Sequence, residues 1–320
     1  MDKIKKEVHL ITGGAGFIGS NLIKHLISEE KYIICLDNFL TSSNNNIKKW
    51  INYPNFRLIN KSVIEELEID VNYIWHLACP PSPKFYYKDP ISTSKIIFEG
   101  TFKLLKLAKA NKASFLFASS SEIYGKSLSL PLSEDCYGQV NTLNKRSCYS
   151  EGKRLAETLC YDFGRMYDLD IKIARIFNTY GPNMSNNDGR VINTFILNGL
   201  RNEDLHVHGL GEQTRSFCYI DDLVNGLINL MYSSFNGAFN LGNSDEISIL
   251  NLAKTILHKL DSKSKIVFIE ADEDEPNRRK PSLRKVKKYL NWEPTTNLND
   301  GLEKTIKYFN EFSHFQKNIY

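Results

Sequence analysis

The chain has 320 residues, 42% of them apolar, which is enough for one large or two modest cores and excludes a small disulfide-stapled fold. Lysine and arginine (41) nearly balance aspartate and glutamate (37), so the net charge of +4 favours an anionic small molecule over a nucleic acid as partner. The six cysteines form neither a CxxC pair nor a histidine-spaced pattern, so no metal is expected. The charged start leads directly into an apolar strand and no later apolar run has the length of a membrane span, so we expect a cytoplasmic protein without a membrane partner.

Short apolar runs alternate with longer helical patterns through the first half of the chain. In order they are VHLIT, FIGSNLIKHLIS, YIICL, FRLIN, YIWHLA, ISTSKIIFEGTFKLLKLAKA and SFLFAS. This alternation predicts an α/β fold with a doubly wound parallel sheet, the Rossmann architecture. Beyond Pro182 the order is mixed, so we predict an NAD-binding domain at residues 1–181 and a smaller C-terminal α/β substrate-binding part at residues 182–320. The strands around Phe217 and Phe239 could still return to the first domain.

The glycine-rich turn Gly13-Gly14-Ala15-Gly16-Phe17-Ile18-Gly19 follows the first strand and opens a helix. Glycines at this place let the backbone turn tightly and approach a pyrophosphate, whose charge then lies against the helix N-terminus. Asp37 ends the next strand, about 20 residues further on, where a carboxylate binds the adenosine ribose and repels a 2′-phosphate. The combination predicts NAD rather than NADP as cofactor; the alternative is a flexible glycine loop with a solvated aspartate.

Tyr149 and Lys153 lie four residues apart at the start of a helix predicted to run to about Tyr167, so they share one helix face. A lysine ammonium near the phenol, together with a positively charged nicotinamide, would lower the pKa of Tyr149 from about 10 towards neutrality and make it a general base. By itself, the YxxxK pattern also occurs on ordinary amphipathic helices.

The apolar strand that begins at Ser114 ends in the polar run Ser119-Ser120-Ser121-Glu122. Ligands bind at the carboxyl ends of parallel strands, where a serine hydroxyl can share a substrate hydroxyl with Tyr149 and hold it for hydride transfer. The alternative is a serine-rich turn with a solvated glutamate. The residues expected to contact the cofactor are Gly13, Gly16, Phe17, Ile18, Gly19, Asp37, Asn38, Leu77, Tyr149 and Lys153.

Together these motifs resemble the extended short-chain dehydrogenase/reductases that act on nucleotide sugars, and within them the UDP-glucuronate decarboxylases, or UDP-xylose synthases. The resemblance extends from about Val8 to Leu298. Its more specific segments are HLACPPSPKFYYKDP, SSSEIYG, RSCYSEGKRLAET, ARIFNTYGP, DGRVI, GEQTRSFCYIDDLVNGL and NRRKPSLRKVKKYLNWEP. It implies NAD as cofactor, a UDP-sugar as substrate, and a homodimer built on helices near residues 91–110 and 149–167.

The resemblance also implies roles for individual residues. The implied catalytic set is Ser120, Glu122, Tyr149, Lys153 and Arg279, with Tyr149 as base, Ser120 as its hydroxyl partner and Glu122 beside C5 of the sugar. The implied substrate-binding set is Tyr86, Asn178, Arg190, Arg215 and Arg279, with Tyr86 near the glucuronate and Asn178, Arg190 and Arg215 on the nucleotide diphosphate. Fixed guanidinium groups suit phosphate and carboxylate, although each arginine alone would more often be a surface charge.

Three positions depart from the family pattern. Ser120 stands where threonine is usual and keeps the hydroxyl, and Ser150 replaces the aspartate of the usual YDEGK. Ser62 stands where an aspartate usually contacts adenine, so the family pattern does not fix how tightly NAD binds.

The resemblance implies decarboxylation of UDP-glucuronate to UDP-xylose through a 4-keto sugar, with no net redox. A 4,6-dehydratase or a 4-epimerase on the same scaffold would share the first hydride step. A dehydratase would need an acid at Ser121 to protonate its leaving hydroxyl, and serine argues against it. The distant alternative is a non-catalytic NAD-binding regulator, against which the intact Ser120, Tyr149 and Lys153 set argues.

Overall fold

The computed structural model describes residues 6–27, 31–126, 129–270 and 277–317, with side chains described up to residue 311. The strands are β1 (Val8–Thr12), β2 (Tyr32–Leu36), β3 (Phe56–Ile59), β4 (Tyr73–His76), β5 (Ser114–Ser120), β6 (Ile171–Ile176), β7 (Thr179–Tyr180), β8 (Leu205–His208), β9 (Thr214–Ser216), β10 (Cys218–Tyr219), β11 (Gly237–Leu241), β12 (Glu246–Ser248), β13 (Ile266–Ile269) and β14 (Arg278–Arg279). The helices are α1 (Phe17–Ile27), α2 (Pro83–Tyr86), α3 (Pro90–Asn111), α4 (Ser147–Tyr167), α5 (Val191–Arg201), α6 (Ile220–Met231), α7 (Ile249–Leu260), α8 (Arg284–Leu290) and α9 (Leu298–Lys317). Short 3₁₀ helices occupy Asn44–Asn46, Lys48–Trp50 and Ser121–Tyr124.

In the described part of the chain, seven strands form one sheet in the order β11-β6-β5-β4-β1-β2-β3. Every pairing within it is parallel. The chain leaves β1 towards β2 and β3 on one side and then returns to β4 on the other. The strand order therefore reverses between β1 and β4, which places a ligand crevice at their carboxyl ends. The predicted doubly wound fold is confirmed.

The later part of the chain contributes to both the large sheet and smaller ones. Strand β11, which contains Phe239, pairs with β6 and extends the large sheet. Strands β9 and β10, on either side of Phe217, belong instead to the sheets β12-β9-β14 and β10-β7. Strands β13 and β8 pair separately. The proposed boundary between residues 181 and 182 stays a prediction.

Helices cover both faces of the large sheet, which is why its strands are continuous apolar runs rather than alternating ones. In β5, the side chains from Phe115 to Ser119 are all buried. Leu116 belongs to the core on one face and Phe115 to the core on the other, where α3 and α4 pack.

None of the helices formed by the described residues combines the length and apolar character that crossing a membrane requires. The same residues contain no cluster of three or more His, Cys, Asp or Glu side chains suited to a metal ion.

Candidate active site

The glycine-rich turn lies between β1 and α1, as the sequence predicts. Gly13 has a positive φ of 69°, and a Cβ there would lie 3.0 Å from the backbone of Ala78. A Cβ on Gly19 would lie 2.2 Å from the carbonyl oxygen of Gly13, so only glycine lets the helix pack this close to the turn. The helix therefore begins directly beside the end of β1, where its first N–H groups can receive an anion.

Asp37 follows β2 and is buried, so it is not a solvated turn residue. Its Oδ1 accepts hydrogen bonds from Phe39 N (2.9 Å) and Ser42 Oγ (2.7 Å), and its Oδ2 accepts one from Ala15 N (2.9 Å). Each carboxylate oxygen offers about two acceptor positions. Oδ2 therefore has room for a ribose hydroxyl beside the Ala15 N–H, and the carboxylate is held in place by the glycine-rich turn itself.

These residues open onto a cleft of about 360 Å³. The cleft is lined by these residues predicted to contact the cofactor: Gly13, Gly16, Phe17, Ile18, Gly19, Asp37, Asn38 and Leu77. Ser62, one of the three departures from the family pattern, also lines the cleft. A glycine turn, a helix N-terminus and a buried carboxylate around one cleft fit a dinucleotide.

The opposite wall of the cleft was not predicted. It includes Met184 and Ser185 from the loop that follows Pro182, and Tyr308 from α9. Asn183 in this loop donates to Ser20 Oγ (3.1 Å). Asn46, in the first 3₁₀ helix, donates to Ala15 O (2.9 Å) in the glycine-rich turn. The Asn- and Asp-rich composition of the loop was the available signal, but composition alone does not show where a loop folds back.

Arg190 lies in the same cleft, its guanidinium 5.5 Å from the centre of the Phe17 ring. Its Nε and Nη2 donate to Asp188 at 2.5 and 2.7 Å. Burial lowers the pKa of Arg190, but the Asp188 carboxylate outweighs this effect and the pKa is raised. The structure thus places Arg190 beside the glycine-rich turn; its role towards the nucleotide diphosphate stays a prediction.

Tyr149 is buried on α4 with Ser120 and Tyr86 around it. Its ring stacks on that of Tyr86, with centroids 5.2 Å apart and planes at 18°. The Ser120 side chain, at the end of β5, lies near the Tyr149 phenol and lowers its pKa. Ser120 Oγ also accepts from Glu122 N (3.2 Å), which fixes the start of the 3₁₀ helix. The structure therefore brings together three of the side chains that the sequence selected.

Lys153 shares the helix face of Tyr149 but is directed at the sheet. Its Nζ donates to Ala118 O (2.6 Å) and lies 5.7 Å from the centre of the Tyr149 ring. Burial, and secondly the neighbouring Cys79, raise the pKa of Tyr149 well above its ordinary value, while the Ser120 side chain lowers it. The residues around Tyr149 therefore do not bring its pKa near neutrality, because the effect of burial dominates. The positive charge of an oxidised nicotinamide is the further contribution that would lower the pKa.

Glu122 and Arg279 form a direct ion pair through Glu122 Oε1 and Arg279 Nη1. Arg279 is buried on β14 and pairs in parallel register with Arg215 on β9. Arg146 Nη1 lies 4.0 Å from the same Glu122 oxygen. Glu122 is therefore not a solvated turn residue. The sequence analysis named Glu122 and Arg279 but missed Arg146, although Arg146 begins the segment RSCYSEGKRLAET.

Strand β14 is also held by Glu246 on β12, which reaches Arg278 across the intervening strand β9. Glu246 accepts hydrogen bonds from Arg278 Nη2 (2.5 Å), Arg278 Nε (3.0 Å) and Thr214 Oγ1 (2.7 Å). The hydrogen bond with Arg278 is the main reason that the pKa of Glu246 is lowered to about 2. Because side chains alternate along a strand, pairing Arg278 with Glu246 directs Arg279 to the opposite side, towards Glu122.

Arg215 and Asn178 lie on neighbouring segments. Arg215 is buried and its Nη1 donates to Thr214 O (2.8 Å) and Asn277 O (3.3 Å). Asn178 follows β6, next to the end of β5, and its carbonyl accepts from Cys218 N (2.9 Å). Both thus lie near the carboxyl edge of the sheet, and their contact with a diphosphate stays a prediction.

A partly buried network that the sequence did not reveal connects these elements. Glu157 on α4 accepts from Arg175 Nη2 (2.8 Å) on β6 and from Ser119 Oγ (2.5 Å) on β5. Arg175 Nη1 also donates to the Tyr124 hydroxyl (3.0 Å), in the 3₁₀ helix that contains Glu122. The network joins the helix of Tyr149 to the segment of Ser120 and Glu122, so it sets their relative position.

Comparison with known proteins matches the model of the NAD dependent epimerase/dehydratase family to residues 9–242. Among curated proteins, UDP-glucuronic acid decarboxylase 1 of Xenopus tropicalis is 47% identical over 320 residues, which is 100% of this chain and 76% of the relative. UDP-glucuronic acid decarboxylase 3 of Arabidopsis thaliana is 48% identical over 294 residues, covering 92% of this chain and 86% of the relative.

Two solved structures show the same fold over nearly the whole chain. UDP-glucose 4-epimerase of Thermotoga maritima, solved with UDP-glucose, has a TM-score of 0.89 at 26% identity and covers 96% of this chain and 99% of its own. UDP-glucuronic acid 4-epimerase of Bacillus cereus, in complex with UDP-glucuronic acid and NAD, has a TM-score of 0.86 at 26% identity and covers 95% and 99%.

Proposed function

Because this chain belongs to the NAD-dependent epimerase/dehydratase family, we propose that it uses bound NAD to convert UDP-glucuronate to UDP-xylose and carbon dioxide. The observation that carries the proposal is the similarity, 47% identity across all 320 residues, to a curated UDP-glucuronic acid decarboxylase. The cluster of Tyr149, Ser120, Glu122 and Arg279 supplies the groups that this reaction needs.

The first step is oxidation at C4 of the sugar. Tyr149, as phenolate, takes the proton from the C4 hydroxyl, and the Ser120 hydroxyl holds the same oxygen in place. When bound, NAD accepts the C4 hydride and returns it to C4 at the end of the cycle, so there is no net redox change. Lys153, whose Nζ donates to Ala118 O, is proposed to orient the nicotinamide ribose.

The second step is loss of carbon dioxide. Once C4 is a ketone, the carboxylate on C5 belongs to a beta-keto acid, so the C5–carboxylate bond can break while its electrons form an enolate. The Tyr149 phenol and the Ser120 hydroxyl would stabilise the charge on that enolate oxygen. Only a substrate with a C5 carboxylate can follow this route.

Glu122 and Arg279 then act on the sugar carbon next to C4. Their ion pair lies beside the Tyr149 phenol, whose pKa the Glu122 charge also raises. We assign to this pair the ordering of the carboxylate before it leaves and of the water that reprotonates C5 afterwards. Tyr86, stacked on Tyr149, closes the same side of the sugar site.

A homodimer is the proposed assembly. Exposed apolar side chains are concentrated on α3 and α4, the helices that the resemblance assigns to the interface. They are Ile91, Phe98, Phe102, Leu155, Tyr161, Met166 and Tyr167. Burying such a surface in a second copy would remove apolar area from water. Mass measurement in solution tests this assembly, and the cytoplasmic location stays a prediction.

Product analysis after incubation with UDP-glucuronate tests the function. We expect release of carbon dioxide, formation of UDP-xylose, and little accumulated NADH because the hydride returns to C4. Recovery of UDP-galacturonate, the C4 epimer, would overturn the decarboxylase assignment in favour of an epimerase. Dehydration of UDP-glucose or dTDP-glucose, with UDP-glucuronate returned unchanged, would favour a dehydratase. Absence of turnover with every nucleotide sugar would favour the NAD-binding regulator.

A further inference from the structure

The cofactor cleft is bordered by two chain segments that hydrogen-bond to each other. The first follows β4 and contributes to the cleft lining Pro80, Pro81 and Phe85. The second is residues 183–189, which we call the strap and which contribute Asn183, Met184, Ser185, Asn186 and Asp188. Because both segments line one cleft, the contacts between them oppose the release of a ligand from it.

One end of the strap is anchored beside the glycine-rich turn. Asn183 Nδ2 donates to Ser20 Oγ on α1 (3.1 Å), and Asn183 O accepts from Asn46 Nδ2 (3.3 Å). Asn46 Nδ2 also donates to Ala15 O in the turn itself (2.9 Å). The strap therefore starts next to the place where the turn and α1 are expected to receive the pyrophosphate.

The middle of the strap is braced by Ser185. Its Oγ accepts from Asn187 N (3.2 Å), and its carbonyl accepts from Asp188 N (3.0 Å) and from Asn193 Nδ2 on α5 (2.6 Å). These bonds close a turn and attach it to α5. The far end of the strap, with Asn187 and Asp188, is thus presented as one unit.

Ser82 joins the far end of the strap to α2. It is the N-cap residue of α2 and is buried, yet its side chain makes no capping hydrogen bond. A serine at this position usually accepts a hydrogen bond from its own helix. The Ser82 hydroxyl instead donates to Asp188 O (2.8 Å), 106 positions away. Asp188 is also buried, so its carbonyl depends on this donor.

Lys84 makes a second contact between the same two segments, this one at the surface. Its Nζ donates to Asn187 Oδ1, and both residues are exposed. Its stem lies along the strap, since a Cβ on Gly189 would be 3.7 Å from Lys84 Cβ. Helix α2 also contains Tyr86, which stacks on Tyr149. The helix held by the strap is therefore the one that packs against the proposed base.

We propose that the Ser82–Asp188 and Lys84–Asn187 hydrogen bonds form a latch that retains the dinucleotide in its cleft through the catalytic cycle. The inference rests on the proposed function for the reason that retention is needed. In that reaction C4 recovers the hydride that it lost, so the reduced cofactor has to stay beside the same sugar. If NADH left first, the sugar would remain a 4-ketone. The latch acts on cofactor release and leaves the chemical steps unchanged.

The dissociation rate of NADH, measured without any sugar, tests the latch directly. Protein loaded with NADH is mixed with excess NAD in a stopped-flow fluorimeter, and the decay of NADH fluorescence gives the rate constant. Ser82→Ala should raise this rate constant about 3- to 10-fold, as expected for the loss of one hydrogen bond. During turnover of UDP-glucuronate, the same variant should release more 4-keto sugar relative to UDP-xylose.

Ser262→Ala is the matched control for Ser82→Ala. Ser262 Oγ donates to Gly199 O (2.7 Å), so the variant loses the same kind of bond between two distant segments. Both variants should lose similar stability in urea denaturation, because each loses one serine hydrogen bond. Only Ser82→Ala should release NADH faster, which separates the latch from a general structural role.

The exposed contact gives a test that does not depend on a buried substitution. Lys84→Met and Asn187→Ala should each raise the NADH dissociation rate constant about twofold. The double variant should raise it no further than either single variant, because both remove the same contact. Lys88→Met removes a charge from an exposed position on the same segment and should leave the rate constant unchanged.

The outcomes distinguish the latch from the proposed function. If the wild type forms UDP-xylose while Ser82→Ala and Lys84→Met release NADH no faster than it does, the inference is wrong and the proposed function stands. If the wild type forms no UDP-xylose but both variants release NADH faster, the latch stands and the function is wrong. Equal acceleration in Ser82→Ala and Ser262→Ala would overturn the inference, as would absence of NADH binding by the wild type.

Discussion

The ring of Tyr86 stacks on the ring of Tyr149 at 5.2 Å, so the short helix α2 is in direct contact with the helix that contains the proposed base. Tyr86 is almost fully buried, and burial raises its pKa, so its hydroxyl stays protonated at neutral pH. The stack holds the Tyr149 ring in one orientation through its face and leaves its hydroxyl available near Ser120. Packing and proton transfer at Tyr149 therefore depend on different atoms and can be separated by substitution.

Tyr149→Phe should lower the rate of UDP-xylose formation by about 10²- to 10⁴-fold, because it removes the proton acceptor. Binding of UDP-glucuronate should survive, because phenylalanine preserves the stack on Tyr86. Steady-state kinetics and calorimetry measure the two effects. Tyr53→Phe, at an exposed position outside the site, is the control and should retain full activity. Near-normal turnover of Tyr149→Phe would exclude Tyr149 as the base.

Asp37→Ala should narrow the preference for NAD over NADP. The carboxylate offers a ribose acceptor at Oδ2 and a negative charge that repels a 2′-phosphate, and the substitution removes both. NAD affinity should also fall, because Ala15 N, Phe39 N and Ser42 Oγ lose their acceptor. Titration of both cofactors measures the change. Equal affinity of the unmodified protein for NAD and NADP would contradict the role of Asp37.

Arg279→Ala should reduce kcat/KM for UDP-glucuronate by about 10-fold or more, since it removes a charge-assisted hydrogen-bond donor and leaves Glu122 without its buried partner. Lys287→Ala, at an exposed ion pair with Glu293 (2.6 Å), should change kcat/KM little. Initial rates of carbon dioxide release measure both. Similar effects of the two substitutions would mean that Arg279 does not act on the substrate.

His76 should make the folding stability depend on pH. Its Nε2 contacts Thr101 Oγ1 (3.1 Å), which itself donates to Ile97 O (2.6 Å), so Nε2 bears the proton. Nδ1 then accepts from Thr12 Oγ1 (2.9 Å), and the ring is neutral. Burial, and secondly the Lys153 ammonium, lower the pKa of His76 from 6.5 to about 3. Folding therefore excludes a proton that the unfolded chain binds.

The pKa of His76 is lower in the folded protein than in the unfolded chain. The stability that neutral His76 contributes is therefore fully present above about pH 6.5 and is lost as the pH falls from 6.5 towards 3. Replacing His76 with Gln should reduce the pH dependence of the unfolding free energy by up to about 1.4 kcal/mol per pH unit in this window. Urea denaturation at several pH values measures it, with the exposed His206→Gln as control. An unchanged slope in His76→Gln would contradict a neutral buried histidine.

Much of the fold and of the cofactor cleft could be predicted from the sequence because the signals are local. Apolar runs separated by helical patterns predict parallel strands joined by crossovers, and they gave the correct sheet. The glycine-rich turn works through the backbone of a few consecutive residues, and Asp37 comes at the end of the adjacent parallel strand. Parallel neighbours end at the same edge, so the spacing alone brings Asp37 to the turn.

The arrangement of the sugar site was decided by the tertiary structure. Glu122 and Arg279 are separated by 157 positions and meet because β14 docks on β9, where Glu246 holds Arg278. Neither the burial that raises the pKa of Tyr149 nor the direction of Lys153 towards Ala118 follows from a four-residue spacing. Periodicity determines which face of an element a side chain occupies. Which charge it meets there, and how much water is removed, depends on segments far away in the chain, and these set the electrostatics of the site.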